Sequence, residues 1–118
     1  METPDTIRSV LSQAYGTSQY WKVFPDLIIT DGVKFMAEMC EAYWLLNEIS
    51  FMLNDKKLKG EDFIVFQLTL KGSSSILKAE DGNEHSLISL KIPFTDFSLQ
   101  EGITIYCCDN VLLLPTEY

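Results

Sequence analysis

Apolar positions recur at helical spacing as far as about Gly60 and at strand spacing beyond it. At the start, Thr3-Pro4-Asp5 has the residues of a helix beginning, since a threonine oxygen can accept from first-turn amides and proline tolerates that turn. Ile7, Val10, Leu11 and Ala14 follow, which predicts a short amphipathic helix over about residues 4–14, ended near Gly16. Between Thr17 and Ile29, Tyr20, Trp21 and Phe24 precede Pro25, a mixture that suits a turn or a second short helix leading into extended chain. Thr30-Asp31-Gly32 then sets polar oxygens before a stretch from Val33 to Leu53 free of Gly and Pro, and predicts one long helix over about 31–53. Phe35, Met39, Ala42, Leu46, Ile49 and Leu53 form one apolar row along it, and Val33, Met36, Ala37, Cys40, Tyr43 and Trp44 form much of another. So wide an apolar arc makes this helix the expected central packing element.

After Gly60 the even positions Ile64, Phe66, Leu68 and Leu70 are all apolar, as in a strand with one face on a core. Gly72-Ser73-Ser74 reads as a turn, Ser75 to Glu80 as a weaker strand, and Asp81-Gly82-Asn83 as a hairpin tip. Leu87 to Ile92 alternates again and Pro93 closes it; Ile103–Cys108 and Val111–Leu114 are further strands about an Asp109-Asn110 turn. Helices first and closely joined strands afterwards specify a single α+β domain over residues 1–118. The expected architecture is an antiparallel meander of four or five strands with its apolar face on the long helix.

Charge narrows the partners more than the fold. Seventeen acids against nine bases leave a net charge of −8 and no basic cluster of the kind that displaces counterions from nucleic acid. Neither nucleic acid nor an anionic membrane is an expected partner, and no segment approaches the ~20 apolar residues of a bilayer span. The first residues lack the basic start and apolar run of a secretory signal. Cys40, Cys107 and Cys108 are odd in number, with two adjacent, which fits a reducing cytoplasm better than a disulfide framework or a zinc site.

His85 is the single histidine, so any histidine-based catalysis or multi-ligand metal site would have to use the Asp81–His85 segment. That segment has the composition of a solvated hairpin tip, and no cofactor is expected. Cys107 and Cys108 alternate along a strand, predicting one core thiol and one half-exposed thiol, while Cys40 is most simply core. Glu38 and Glu41 share a helix face without facing histidines, which makes a solvated strip. Tyr43 and Trp44 read first as core filling, and otherwise as a groove or subunit contact, because aromatics concentrate binding energy. The apolar run Leu112–Leu114 reaches to within four residues of the end, so the tail carrying Glu117 and Tyr118 should be tied to the sheet or to another subunit. Tyr43, Trp44, Glu117 and Tyr118 are therefore the candidate partner-binding residues.

Thr30-Asp31-Gly32-Val33-Lys34, Ala42-Tyr43-Trp44-Leu45-Leu46, Phe94-Thr95-Asp96-Phe97 and Val111–Tyr118 (Val-Leu-Leu-Leu-Pro-Thr-Glu-Tyr), in this order and spacing, resemble a family of small bacterial proteins. That family is a domain of unknown function associated with phages, plasmids and other mobile DNA, and the resemblance covers about residues 20–118. It implies no activity and no catalytic residue. Most of its motifs read as architecture: Thr30 and Asp31 as helix cap, Tyr43 and Trp44 as packing, Asp96 as a turn holder and Pro115 as the stop of the last strand. Small size, negative charge and the resemblance together make a non-enzymatic protein-interaction module of a phage or mobile element the expected function, with a homo-oligomer formed through the aromatic helix or the apolar tail as a further expectation. A small enzyme or metal-binding protein using Asp81–His85 is the alternative.

Overall fold

The computed structural model describes residues 3–12, 20–23, 27–83 and 85–118, and the side chains of these apart from residues 10–12. Along the described chain come α1 (Pro4–Ser12), β1 (Tyr20–Val23), β2 (Leu27–Thr30), α2 (Asp31–Met39), α3 (Tyr43–Leu53), β3 (Phe63–Lys71), β4 (Ser74–Glu80), β5 (Ser86–Ile92), β6 (Ile103–Cys108), β7 (Val111–Leu113) and a 3₁₀ turn at Pro115–Glu117. The mixed α+β class expected from the pattern is observed. At the start of α1, Thr3 Oγ1 accepts from the Thr6 amide at 3.2 Å, as a threonine cap should. Ala14 and Gly16, the expected end of that helix, lie outside the described residues.

The single helix over 31–53 is instead two short helices, α2 and α3, broken at Cys40–Ala42. Glu41 adopts the left-handed conformation with φ 52°. Its amide donates to the Glu38 carbonyl at 3.4 Å, and the Ala42 amide donates to the Ala37 carbonyl at 2.8 Å. These are the two bonds of a Schellman ending, and the apolar contact that accompanies the motif is supplied by Ala37 and Ala42, both buried. The break is hidden in the sequence because a glutamate occupies the position that glycine usually signals. The bend also turns Phe35 out of the core, 47% exposed, while Leu46 of the same expected row is fully buried.

The strands also number more than four or five. Among the described residues seven form one sheet in the order β1-β2-β7-β6-β3-β4-β5, which is not a simple meander. The stretch expected as a turn or short helix forms the β1–β2 hairpin, with Tyr20 opposite Thr30 and Val23 opposite Leu27; Phe24 and Pro25 lie outside the described residues. β6 returns to the far side of β3, with Ile64 opposite Cys107, rather than adding to β5. The segment between β5 and β6 makes this possible by burying Phe97 and Leu99 as it goes. It ends at Gly102, with φ 76° and packed so closely that a Cβ there would lie 1.8 Å from the Leu68 carbonyl oxygen. β7, antiparallel to β6 through Asp109 (φ 50°) and Asn110 (φ 66°), pairs parallel with β2. The parallel step is sterically open because α2, α3 and four strands separate β2 from β7 in the chain.

Inward residues Ile64, Phe66 and Leu68 of β3, Leu77 and Ala79 of β4, Ile105 and Cys107 of β6 and Leu112 of β7 are buried with Ile7 of α1, Val33, Met36 and Ala37 of α2, and Leu45, Leu46 and Ile49 of α3. The alternate residues of the same strands are half-buried or exposed, so among the described residues the helices cover one face and leave the other open. Among the described residues, no helix is long and apolar enough to cross a membrane.

Candidate functional site

The open face is not uniformly polar. Toward β4, the outward positions Gln67, Thr69, Lys71 and Lys78 are exposed and hydrophilic, with Ile76 an isolated exposed apolar residue among them. From the start of β3 across β6 and β7 to β2, the outward positions Phe63, Val65, Tyr106, Cys108, Val111, Leu113 and Ile28 are half-buried and apolar, bordered by Thr104 of β6 and by Thr30 of β2, which is buried. Register holds them together: Val65 lies opposite Tyr106, Phe63 opposite Cys108, Tyr106 opposite Leu113, and Ile28 beside Val111. The result is a contiguous apolar patch on the side of the sheet away from the helices.

The C-terminus completes this patch. Pro115 fixes the first residue of the 3₁₀ turn, which returns Tyr118 onto the strands. The rings of Phe63 and Tyr106 are 5.1 Å apart, those of Phe63 and Tyr118 5.4 Å, and those of Tyr106 and Tyr118 5.5 Å, in tilted and edge-on contacts. These spacings suit the quadrupoles of aromatic rings. Tyr118 nevertheless remains 76% exposed, so one side of the cluster is presented to solvent.

Glu117 is the latch that sets this geometry. Its Oε1 accepts from the Thr30 hydroxyl at 2.6 Å and from the Leu114 amide at 2.9 Å, and its Oε2 accepts from the Gly32 amide at 3.2 Å. Thr30 in turn accepts from the Val33 amide at 3.4 Å as the cap of α2, so its hydroxyl both donates and accepts. A carboxylate at a helix N-terminus satisfies free amides and meets the positive end of the dipole. Gly32 leaves the room, because a Cβ there would approach Glu117 Oε1 to 2.6 Å and Leu114 Cδ1 to 2.8 Å. The Thr30–Gly32 and Pro115–Tyr118 segments, from the first and last of the motifs that carry the resemblance, are thus one structural unit.

Tyr43 and Trp44 are held elsewhere and, among the described residues, join neither the latch nor the ring cluster. Trp44 packs on the core, but Tyr43 is 43% exposed rather than filling the packing face. At the first turn of α2, Trp21 Nε1 donates to Asp31 Oδ1 at 3.0 Å, and the Lys34 ammonium sits 4.6 Å from the Trp21 ring centroid. Pairing with Glu38 raises the Lys34 pKa, and Tyr43 and Asp31 add to it. Phe63 and Tyr106 were absent from the sequence-predicted set. The uninterrupted apolar run Phe63–Phe66 is the signal that could have identified Phe63, since a strand with one buried face would alternate there, and the run Ile105-Tyr106-Cys107-Cys108 is the corresponding signal for Tyr106.

The remaining candidates have local structural tasks. Asp81 Oδ1 accepts from the Asn83 amide at 2.9 Å and the His85 amide at 3.1 Å, and its Oδ2 lies 3.0 Å from His85 Nδ1. These bonds, the Asn83 amide foremost, lower the Asp81 pKa, and His85 stands exposed on the hairpin. Among the described residues, no group of three or more His, Cys, Asp and Glu side chains is placed to hold a metal. Burial pushes the thiols of Cys40 and Cys107 up to about 11, and Cys108 upward as well. All three cysteines are unbridged, with Cys108 half-buried as alternation predicts. A cleft of about 740 Å³ at the C-terminal end of α3 sets Lys22, Lys59, Glu61 and Asp109 around buried Ile64 and Cys107.

Residues 5–118 match the model of a family of unknown function, DUF6876. No curated protein and no solved structure matches the chain.

Proposed function

The chain belongs to that family of unknown function, and we propose that it is a non-enzymatic protein-interaction module whose partner docks on the open sheet face, over Phe63, Tyr106 and Tyr118. The observation that carries this reading is the contiguous apolar patch opposite the helices, capped by a ring cluster whose last member is largely exposed. Contiguous apolar surface is rare on soluble domains unless something covers it. Tyrosines also bring large contact area with few rotatable bonds, and so concentrate binding energy. Glu117 serves the surface indirectly, by fixing the turn that carries Tyr118. The likeness of the motifs to those of phage and mobile-element domains supports an accessory role in such an element, and three unbridged cysteines accord with a reducing cytoplasm.

The test is affinity capture at native concentration with the wild-type chain, Tyr118→Ala and Val65→Lys, each variant first checked for an unchanged thermal transition. A protein captured by the wild type and lost from both variants supports the reading. A chain that stays alone, or a captured protein that both variants retain equally, overturns it.

A further inference from the structure

The sheet ends at β5, whose outer backbone groups have no neighbouring strand among the described residues. Ile88, Leu90 and Ile92 lie opposite Ala79, Leu77 and Ser75 of β4 and so point to the helix-covered side. Ala79, Leu77 and Ser75 are buried, whereas the three β5 residues are only half-buried. Native sheets usually blunt such an edge with inward charges or a covering segment. Here the following chain turns away from the edge: the Thr95 amide donates to the Ser73 carbonyl at 2.7 Å, beside the β3–β4 turn. The irregularity at Ala79/Glu80 and Pro93 limit the open edge to about Leu87–Ile92.

We propose that this edge docks a second copy of the chain, β5 pairing antiparallel with the partner's β5 about a two-fold axis at Leu90. Two features select another copy over an unrelated strand. The first is self-complementarity. With Leu90 on the axis, Ile88 faces the partner's Ile92, Leu90 faces the partner's Leu90, and Ser89 faces the partner's Lys91, so the inner ladder is wholly apolar and no like charges are directly opposed. A register centred on Ser89 would set Ile92 against serine. The second is charge. A molecule of net charge −8 repels its own copies, yet from His85 to Thr95 there is no acidic residue. This stretch is where two such copies can approach without opposing carboxylates. Only Ile88–Ile92 of each strand lie within β5 on both sides of this register, a ladder of five residues about 17 Å long at the small end of stable interfaces, so the dimer is expected at micromolar concentration. The inference is independent of the proposed docking on the open face.

Sedimentation of the full chain from about 1 to 200 µM, a range that brackets a small interface, should show the mass rising from 13.5 kDa toward twice that value. Added salt should tighten the dimer by screening net repulsion. Leu90→Lys, which places two ammonium groups at the axis, should weaken it at least about tenfold. Leu90→Cys should cross-link under mild oxidation while Ile76→Cys, exposed on the neighbouring strand, does not; this variant decides the matter should Leu90→Lys fail to fold. A monomer throughout the range, no cross-link at residue 90, or a dimer lost with Val65→Lys but intact with Leu90→Lys would overturn the proposal.

Discussion

Replacing Glu117 with alanine strips one carboxylate from three donors, the Thr30 hydroxyl at 2.6 Å and the Leu114 and Gly32 amides at 2.9 and 3.2 Å. A hydrogen bond to a charged group contributes about 1.5–3 kcal/mol, but three on one half-buried carboxylate are not additive, so the expected loss is about 2–4 kcal/mol. In urea the unfolding midpoint should fall by about 1–3 M, since m for a small domain is about 1–3 kcal/mol/M. Glu117→Gln should cost less, about 1–2 kcal/mol, because its oxygen can still serve Thr30 and Leu114 while its amide meets the Gly32 amide donor to donor. The same geometry predicts coupling to Gly32. In the wild type, Gly32→Ala drives a methyl into Glu117 Oε1 and should cost about 1–3 kcal/mol. In the Glu117→Ala background the carboxylate is gone, and the cost should fall by about 1 kcal/mol or more. Urea titrations followed by circular dichroism on the four-variant cycle measure both quantities. A Glu117→Ala midpoint equal to the wild type, or strictly additive variants, would refute the latch.

Gly102→Ala should be among the most damaging single substitutions, at least about 3 kcal/mol, because a left-handed residue gains a Cβ that collides with the Leu68 carbonyl; a thermal melt within a degree or two of the wild type would contradict this. Glu41→Gly should stabilise the chain by about 0.5–1 kcal/mol, since glycine occupies the left-handed Schellman position without a Cβ penalty, and a lowered urea midpoint would show that the break between α2 and α3 has another cause. The Glu101 carboxyl, held at about 2 by the paired Arg8 guanidinium through bonds of 2.7 and 2.8 Å, contributes stability that is complete above its ordinary value of 4.5 and is lost as pH falls toward 2. The wild type and Glu101→Gln should therefore converge in unfolding midpoint across that acid window, with high salt shrinking the difference at neutral pH; a constant gap from pH 7 to 2 would rule the linkage out.

Much of the second half of the chain was legible because its information is local. Alternation places Ile64, Phe66 and Leu68 inward, and the turn residues Asp81-Gly82-Asn83 and Asp109-Asn110 stand where the hairpins close. Glu117 and Tyr118 were legible as a tethered tail from the apolar run before them, although what tethers them was not. The helix break was illegible because Glu41 carries no glycine signal and the motif is made of two backbone bonds that any residues could form. The β1–β2 hairpin was hidden by the aromatics around it, which a helix or a strand accommodates equally well.

The order of polar and apolar residues by itself determined the class, the inward face of most strands, the cap at Thr30 and the fate of the cysteines, because each follows from periodicity or from residues within a few positions. Strand order, the parallel β2–β7 pair, the apolar outer face and the place of β5 at the end of the sheet were decided only by tertiary structure. Those features depend on which backbone groups find partners far along the chain, and a Thr30 hydroxyl 2.6 Å from Glu117, 87 positions away in the sequence, is set by the packing of the sheet rather than by either residue's neighbours.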